Sequence, residues 1–180
     1  MKQTPRVVYL GNMPQVVEAL YGRTDLALVG WIIEAGDDLN RELSDCAHKA
    51  ELPFFEVKNE QGLREALGSI GRIDLGLIAN FGIILSEASL ALARKGFVNA
   101  HFGLLPDYPG RNPIRKALQK GERVAGVTLH RVVRKVDAGP FIAKRSVLVG
   151  ENRKAEEVFA RLSRITPTLI NEHLPSLLKD

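Results

Sequence analysis

The sequence contains a single cysteine, Cys46, among 180 residues. One thiol cannot form an internal disulfide, and it cannot supply the several sulfur ligands of a zinc or iron–sulfur centre. Cys46 falls within a helical pattern between Leu43 and Ala50, where a small apolar side chain is typically buried. We therefore expect a chain without disulfide bonds or a cysteine metal centre, with Cys46 in the core.

Long apolar runs are also absent from the sequence. No run approaches the ~20 residues that a membrane-spanning helix needs. The first six residues, Met1-Lys-Gln-Thr-Pro-Arg6, lack the apolar region of a secretory signal. We therefore expect a cytoplasmic protein with no membrane partner.

The charge of the chain is mildly basic and evenly spread. Lys and Arg number 25 and Asp and Glu number 21, which gives a net charge of +4. Nucleic-acid-binding proteins usually carry a dense basic cluster, and this sequence disperses its basic residues. The balance favours a small anionic ligand over a nucleic acid. Hydrophobic residues make up 45% of the chain, as in a globular domain with one core.

Apolar runs of strand length alternate with helical patterns over the first hundred residues. This alternation predicts a parallel sheet whose crossover helices cover both faces. Strands are predicted at 6–10, 26–34, 54–57, 74–79 and 97–100, and helices at 14–22, 38–50, 60–70 and 86–94, the last with Ser86 as its N-cap.

The remainder of the chain predicts a smaller set of elements. A helix over 113–120 precedes strands at 124–133 and 140–149, which are joined by the turn that contains Asp137. A closing helix follows over 152–178, with Pro167 as a candidate break. The predicted fold is α/β: a Rossmann-like, parallel-rich twisted sheet with helices on both faces, C-terminal strands and a closing helix, in one domain over 1–180.

Three polar residues stand where parallel sheets bind ligands. Asn99 and His101 are two residues apart at the end of an apolar strand, so their side chains share a face. Asp137 lies in a turn marked by Gly139-Pro140. An amide donor, an imidazole and a carboxylate are the groups needed for acyl transfer. Taken singly, each residue also suits an ordinary structural role at a strand end, a loop or a turn.

The order and spacing of these residues resemble a known signature. Asn99-x-His101, Leu104-Leu105-Pro106, Tyr108, Gly110 and Asp137-x-Gly139 resemble the motifs of the formyltransferases that use 10-formyltetrahydrofolate. The resemblance covers roughly residues 6 to 149. Gly103 stands where most members of that family carry serine.

The resemblance implies a role for each part of the motif. Asn99, His101 and Asp137 would be catalytic, with no metal. Arg111 and Asn112 would bind the acceptor. The donor, 10-formyltetrahydrofolate, would be held by Phe81, Gly82, Ile83, Ile84, Leu85, Val136 and Gly139. Simple packing between strand and helix is the alternative for residues 81–85. His130 alternates with apolar residues in its strand, and we interpret it as a sheet residue.

The acceptor amine is less sharply indicated. Glycinamide ribonucleotide transformylases carry a phosphate loop rich in Gly, Ser and Asn after the first strand, where this chain has Gly11-Asn-Met-Pro14. Methionyl-tRNA formyltransferases add a C-terminal β-barrel, which we do not expect here. Segments 109–113 and 126–139 resemble enzymes that formylate amino sugars. We expect an amine acceptor that is a nucleotide-linked amino sugar or another small amine, and leave open whether it is phosphorylated. A methionyl-tRNA formyltransferase-like core and a non-catalytic folate-binding relative are the alternatives, and a homodimer stays open.

Overall fold

The computed structural model describes residues 3–36 and 40–179, which form seven strands and six helices. The strands are β1 (Arg6–Leu10), β2 (Ala27–Glu34), β3 (Phe54–Val57), β4 (Leu75–Ala79), β5 (Phe97–His101), β6 (Val124–Arg131) and β7 (Phe141–Leu148). The helices are α1 (Pro14–Leu20), α2 (Asn40–Lys49), α3 (Glu60–Ile70), α4 (Glu87–Leu90), α5 (Pro113–Gln119) and α6 (Ala155–Leu178).

The strands form one sheet in the order β3-β2-β1-β4-β5-β6-β7. The pairs among the first five strands are parallel, whereas β6 pairs antiparallel with β5 and with β7. The chain winds outward from β1 to β3 and then crosses to β4 on the other side of β1. The predicted parallel-rich α/β fold is confirmed, and the switch between β1 and β4 is where such sheets bind ligands.

The core lies on both faces of the sheet because the central strands are covered on both sides. Val7 and Tyr9 of β1 face one apolar cluster, which includes side chains of α1, α2, α5 and α6. Val8 and Leu10, the alternate residues, face a second cluster that includes α3 and is partly covered by α4. This double burial explains the continuous apolar runs that mark β1 and β4 in the sequence.

Two predicted helices differ from those observed. Ser86 caps α4 as expected by accepting a hydrogen bond from the Ser89 N–H, but α4 ends at Leu90 and not at Arg94. The closing helix α6 shows no break at Pro167 and continues through Pro175. Its buried stripe, which includes Leu162, belongs to the core cluster that also contains side chains of α1 and β6, and tertiary packing of this kind overrides the local preference against an internal proline.

The prediction that Cys46 is buried is wrong, because its side chain is exposed. Helix α2 turns Leu43 and Ala47 into the core, and this rotation leaves Cys46 towards solvent. The predicted first residues of α2, 38 and 39, lie outside the described residues. Within the described part of the chain, none of the helices has the length and apolar character needed to cross a membrane.

Candidate active site

A cleft of about 830 Å³ opens at the carboxyl ends of the central strands. Asn12 follows β1, Glu34 ends β2, Asn80 follows β4 and His101 ends β5, and all four line the cleft. The location follows from the topology, because the chain leaves β1 and β4 in opposite directions and a crevice remains between them. The structure therefore places the cleft at the switch point.

Four polar residues form one side of the cleft, which we call the polar wall: Asn99, His101, His130 and Asp137. Strand β5 carries Asn99 and His101, and antiparallel pairing sets His130 of β6 directly opposite Asn99. Asp137 comes from the turn between β6 and β7. The His101, His130 and Asp137 side chains are only 8%, 2% and 7% exposed, so their hydrogen-bond partners determine their chemistry.

The Asp137 carboxylate lies between the two imidazoles. Its Oδ2 is 3.4 Å from His101 Nδ1, and its Oδ1 is 3.4 Å from His130 Nε2. The Gly110 N–H donates a 2.7 Å hydrogen bond to Oδ2. Asp137 has φ 54°, in the left-handed region that Asp tolerates better than most residues. This tight turn brings the carboxylate back over the strand ends.

Backbone carbonyls fix which ring nitrogens carry hydrogen. His101 Nε2 lies 2.7 Å from the Tyr108 carbonyl oxygen, and His130 Nδ1 lies 2.9 Å from the Arg131 carbonyl oxygen. A carbonyl oxygen only accepts, so each of these nitrogens must donate. The opposite nitrogen of each neutral ring faces Asp137 with a lone pair, and His130 Nε2 accepts from the Asn99 amide at 3.3 Å.

The surroundings of His101 and Asp137 determine the charge state of each side chain. Burial lowers the pKa of His101, and the Tyr108 carbonyl and Asp137 only partly oppose this. Burial raises the pKa of Asp137, but the His130 ring, the Gly110 N–H and the nearby His101 ring hold it below its ordinary value. At neutral pH the pair is therefore a neutral imidazole beside a carboxylate.

Among the described residues, three large hydrophobic side chains are exposed in the cleft: Ile84, Val133 and Val136. We call them the apolar wall. Ile84 belongs to the segment Phe81–Leu85, all of which lines the cleft. Phe81 and Ile83 also pack in part on the core, so the segment combines core packing with a position in the cleft. The Glu34 carboxylate accepts a hydrogen bond from the Gly82 N–H and holds the segment near β2.

The remaining predicted site residues divide into two groups. Arg111 and Asn112 both line the cleft, just before α5, and Arg111 is exposed. Gly139 is not among the described residues that line it. A Cβ at Gly139 would lie 1.8 Å from the Arg131 carbonyl oxygen. Glycine is needed there so that the two arms of the β6–β7 hairpin can approach, and its expected contact with the donor stays a prediction.

Sequence reasoning missed His130 and Glu34. The His130 side chain was interpreted as part of the sheet, yet it contacts Asp137 and Asn99. The signal was present in the predicted hairpin, because an antiparallel β6 beside β5 places a β6 residue opposite Asn99. Glu34 could have been found from its place at the end of β2, since carboxyl ends of parallel strands meet at one edge.

Among the described residues, no group of three or more His, Cys, Asp and Glu side chains is arranged to hold a metal ion. What the arrangement offers is a neutral imidazole, a carboxylate and an amide N–H beside an apolar surface. These groups can move a proton and donate a hydrogen bond to an oxygen that gains charge.

Comparison with known proteins agrees with the motif and the fold. Methionyl-tRNA formyltransferase from Staphylococcus aureus is 36% identical over 135 residues, which are 74% of this chain and 43% of that protein. The chain thus spans less than half the length of this relative.

Two solved structures resemble the fold. Glycinamide ribonucleotide transformylase 1 from Symbiobacterium toebii matches with a TM-score of 0.78 and 26% identity, over 93% of this chain and 86% of that chain. Phosphoribosylglycinamide formyltransferase from Bacillus halodurans matches with a TM-score of 0.82 and 22% identity, over 97% and 96%. At that identity the second match shows the fold alone.

The family model for formyl transferase matches residues 43–174. This range contains β5, β6 and the turn between β6 and β7, and so all four residues of the polar wall. The matched range and the identity to the staphylococcal protein both support the same assignment: the chain belongs to the formyl transferase family.

Proposed function

We propose that the protein transfers a formyl group from 10-formyltetrahydrofolate to an amine, with residues 1–180 acting as one catalytic domain. The favoured acceptor is a nucleotide-linked amino sugar or another small amine. The observation that carries the proposal is the placement of Asp137 between His101 and His130, next to Asn99, on one wall of an open cleft.

The reaction requires three events that side chains can assist. When bound, the donor supplies a formyl carbonyl group attached to N10. The acceptor nitrogen forms a bond to the formyl carbon, the bond from that carbon to N10 breaks, and one proton leaves the amine while N10 gains one. The carbonyl oxygen carries negative charge between these steps, so it needs a hydrogen-bond donor.

Asn99 is the proposed donor to that oxygen. Its amide nitrogen has two N–H groups. One can point to His130 Nε2, 3.3 Å away, and the other is left for a ligand in the cleft. A single donor of this kind is worth ~10²–10³ in rate.

His101 is the proposed proton acceptor. Its Nε2–H is held by the Tyr108 carbonyl, so the free lone pair is on Nδ1. The lowered pKa keeps the ring neutral and able to accept a proton from the amine at neutral pH. Asp137 then lies 3.4 Å from the nitrogen that becomes positively charged, and the carboxylate stabilises the cation until the proton passes on to N10.

The apolar wall supports binding of the donor's flat ring system. Ile84, Val133 and Val136 expose apolar surface inside a cleft that also offers backbone N–H and C=O groups from Phe81–Leu85. A soluble protein rarely exposes such a cluster without a partner, because burying each side chain on binding is favourable. The residues present therefore fit a folate.

The loop after β1 bears on the identity of the acceptor. The Gly11 N–H donates to the Ile32 carbonyl at 2.9 Å, and the Met13 N–H donates to the Tyr9 hydroxyl at 3.1 Å. A phosphate cradle needs such N–H groups free. The Glu34 carboxylate in the same part of the cleft would also repel an anion. A phosphate on the acceptor is better met by Arg111, which supports a nucleotide-linked amine over a ribonucleotide held at the first loop.

Methionyl-tRNA formyl transfer is the second candidate. The identity to the staphylococcal enzyme favours it. A non-catalytic folate-binding protein is the third candidate, because Gly103 stands where most members of the resembled family carry serine. All three readings share the donor site, so the donor is tested first and the acceptor second.

Thermal unfolding with and without 5-formyltetrahydrofolate tests the donor site. At a hundredfold excess over Kd, binding adds ~2.7 kcal/mol, which corresponds to a rise in Tm of roughly 5–10 °C for a domain of this size. His101→Ala should keep this rise while losing transfer. If saturating ligand leaves Tm unchanged, the folate proposal fails.

An acceptor panel then separates the candidates. Transfer from 10-formyltetrahydrofolate is measured to a nucleotide-linked amino sugar, to glycinamide ribonucleotide and to methionyl-tRNA. We expect the amino sugar to be formylated fastest and Arg111→Ala to raise its KM about tenfold, since a charge-assisted hydrogen bond is worth ~1.5–3 kcal/mol. Binding of folate without transfer to any amine would favour the non-catalytic reading.

A further inference from the structure

Gly103 lies two residues after His101, at the base of the polar wall. Its φ is outside the left-handed region, so the backbone conformation itself does not require glycine. Glycine is required instead by the atoms that surround the position. A Cβ at this position would lie 2.6 Å from the Tyr108 carbonyl oxygen, 2.7 Å from Pro113 Cβ and 2.8 Å from His101 Nε2. Two of these atoms are the partners in the hydrogen bond that orients the His101 ring.

The backbone at Gly103 has little freedom to retreat from a side chain. Its carbonyl oxygen accepts a 2.7 Å hydrogen bond from the buried Thr128 hydroxyl. The same hydroxyl accepts a hydrogen bond from the Leu105 N–H at 3.1 Å. Both contacts tie the segment to β6, so an added Cβ would have to displace its neighbours instead.

Tyr108 and Pro113 are also held in place. The Tyr108 N–H donates to the Leu104 carbonyl at 3.1 Å, and its hydroxyl donates to Glu122 Oε1 at 2.5 Å. Pro113 is the first residue of α5, and its ring is rigid. Of the three groups around Gly103, the His101 ring can turn most readily, because only side-chain torsions need to change.

We infer that Gly103 is a positioning residue: the space left by its missing side chain is what allows the Tyr108 carbonyl to hold the Nε2–H of His101 and direct Nδ1 towards Asp137. The expected effect of Gly103 on turnover rests on the proposed formyl transfer. Its effect on the orientation of the His101 ring does not depend on that proposal. Gly103→Ser would introduce the residue that most members of the resembled family carry, and in this chain it is expected to disturb the site.

Displacement of the ring changes two properties. The neutral ring is no longer held with its hydrogen on Nε2, so both tautomers become populated. The proton affinity of the ring also changes, because the Tyr108 carbonyl and Asp137 favour the protonated form while His130 and Lys116 oppose it through their charge. Loss of the Tyr108 contact alone lowers the pKa of His101 further.

Nitrogen-detected NMR of the histidine rings tests the inference without any substrate. Wild-type protein above pH 7 should show a single His101 tautomer, with hydrogen on Nε2 and two well-separated nitrogen shifts. In Gly103→Ala and Gly103→Ser the two shifts should move towards each other as the tautomers mix. Gly68→Ala is the matched control, because among the described residues nothing lies within 4 Å of a Cβ placed at Gly68 in α3.

Each outcome decides the inference. A wild-type His101 with hydrogen on Nδ1, or with mixed tautomers, overturns it even if the variants fail to fold. Unchanged ring shifts in folded Gly103→Ala overturn it as well. Where transfer occurs, turnover in Gly103→Ala should fall at least about tenfold at unchanged donor affinity, as part of the ~10²–10⁴ that a positioned acid or base contributes. A fixed wild-type tautomer in a protein that transfers no formyl group would refute the proposed function and leave the positioning role intact.

Discussion

The polar wall and the apolar wall face the same cleft, yet they are built in opposite ways. Three side chains of the polar wall, His101, His130 and Asp137, are more than nine-tenths buried, and carbonyl oxygens and backbone N–H groups orient them. The apolar wall exposes Ile84, Val133 and Val136 to solvent. The difference indicates that one wall is arranged in advance for chemistry, whereas the other gains contacts only when a ligand covers it.

The two walls also differ in the elements that carry them. Asn99, His101 and His130 lie on neighbouring strands, and Asp137 is held by the Gly110 N–H. Ile84, Val133 and Val136 lie in the connections after β4 and β6. Strands hold side chains within the narrow limits that proton transfer requires, while loops can adapt to a flat ring. Substitutions in the two walls should therefore change different kinetic constants.

The largest expected effect comes from the polar wall. His101→Ala should lower turnover about 10²–10⁴-fold, because it removes the proposed proton acceptor. Its affinity for 5-formyltetrahydrofolate, measured by calorimetry, should stay close to that of wild type, since the apolar wall is intact. Circular dichroism checks the fold. Equal loss of donor affinity and turnover would contradict the division between the walls.

A smaller effect is expected from the partner of His101. The neutral ring is the active form, so activity should fall as the pH falls through the pKa of His101. Burial lowers that pKa, so the acid limb of kcat/KM should have its midpoint below the ordinary value of ~6.5. Asp137→Asn removes a charge that raises the pKa and should move this limb to still lower pH.

The rate of Asp137→Asn should also fall, by about 10- to 100-fold, since the imidazolium loses a charge-assisted partner worth ~1.5–3 kcal/mol. Rate profiles from pH 5 to 9 measure both effects. A limb that moves to higher pH in Asp137→Asn would mean that the carboxylate does not act on His101.

The smallest expected effect comes from the apolar wall. Ile84 is 64% exposed, and Ile84→Ala removes methyl and methylene groups that a bound ligand would cover at ~0.8 kcal/mol each. Donor affinity should fall about tenfold with kcat unchanged at saturation. Leu148→Ala on β7 is the control, because Leu148 is 73% exposed but lies outside the cleft. Equal losses in the two variants would remove the apolar wall from the donor site.

Much of the fold could be predicted from periodicity alone. The bounds of β1, β3 and α3 agree with the expected ranges, because short apolar runs between turn residues and a capped helical pattern are local signals. The end of α4 could not, since Ala93 pairs with the distant Ile73. The continuity of α6 through Pro167 could not either, since its buried stripe packs in the core. Cys46 shows the same limit, because a helical pattern does not determine whether a small side chain faces the core or the solvent.

The pattern of the chain determined the α/β class, the strand that ends in Asn99 and His101, and the distant turn that holds Asp137. Spacing alone is enough for these, because alternation in a strand and the chemistry of a tight turn act over a few residues. Only the tertiary structure decided which β6 residue lies opposite Asn99, and only it placed the Arg131 carbonyl against Gly139 and the Tyr108 carbonyl beside Gly103. These depend on which strands pair and how closely two backbones approach, and such contacts between distant residues leave little trace in local sequence.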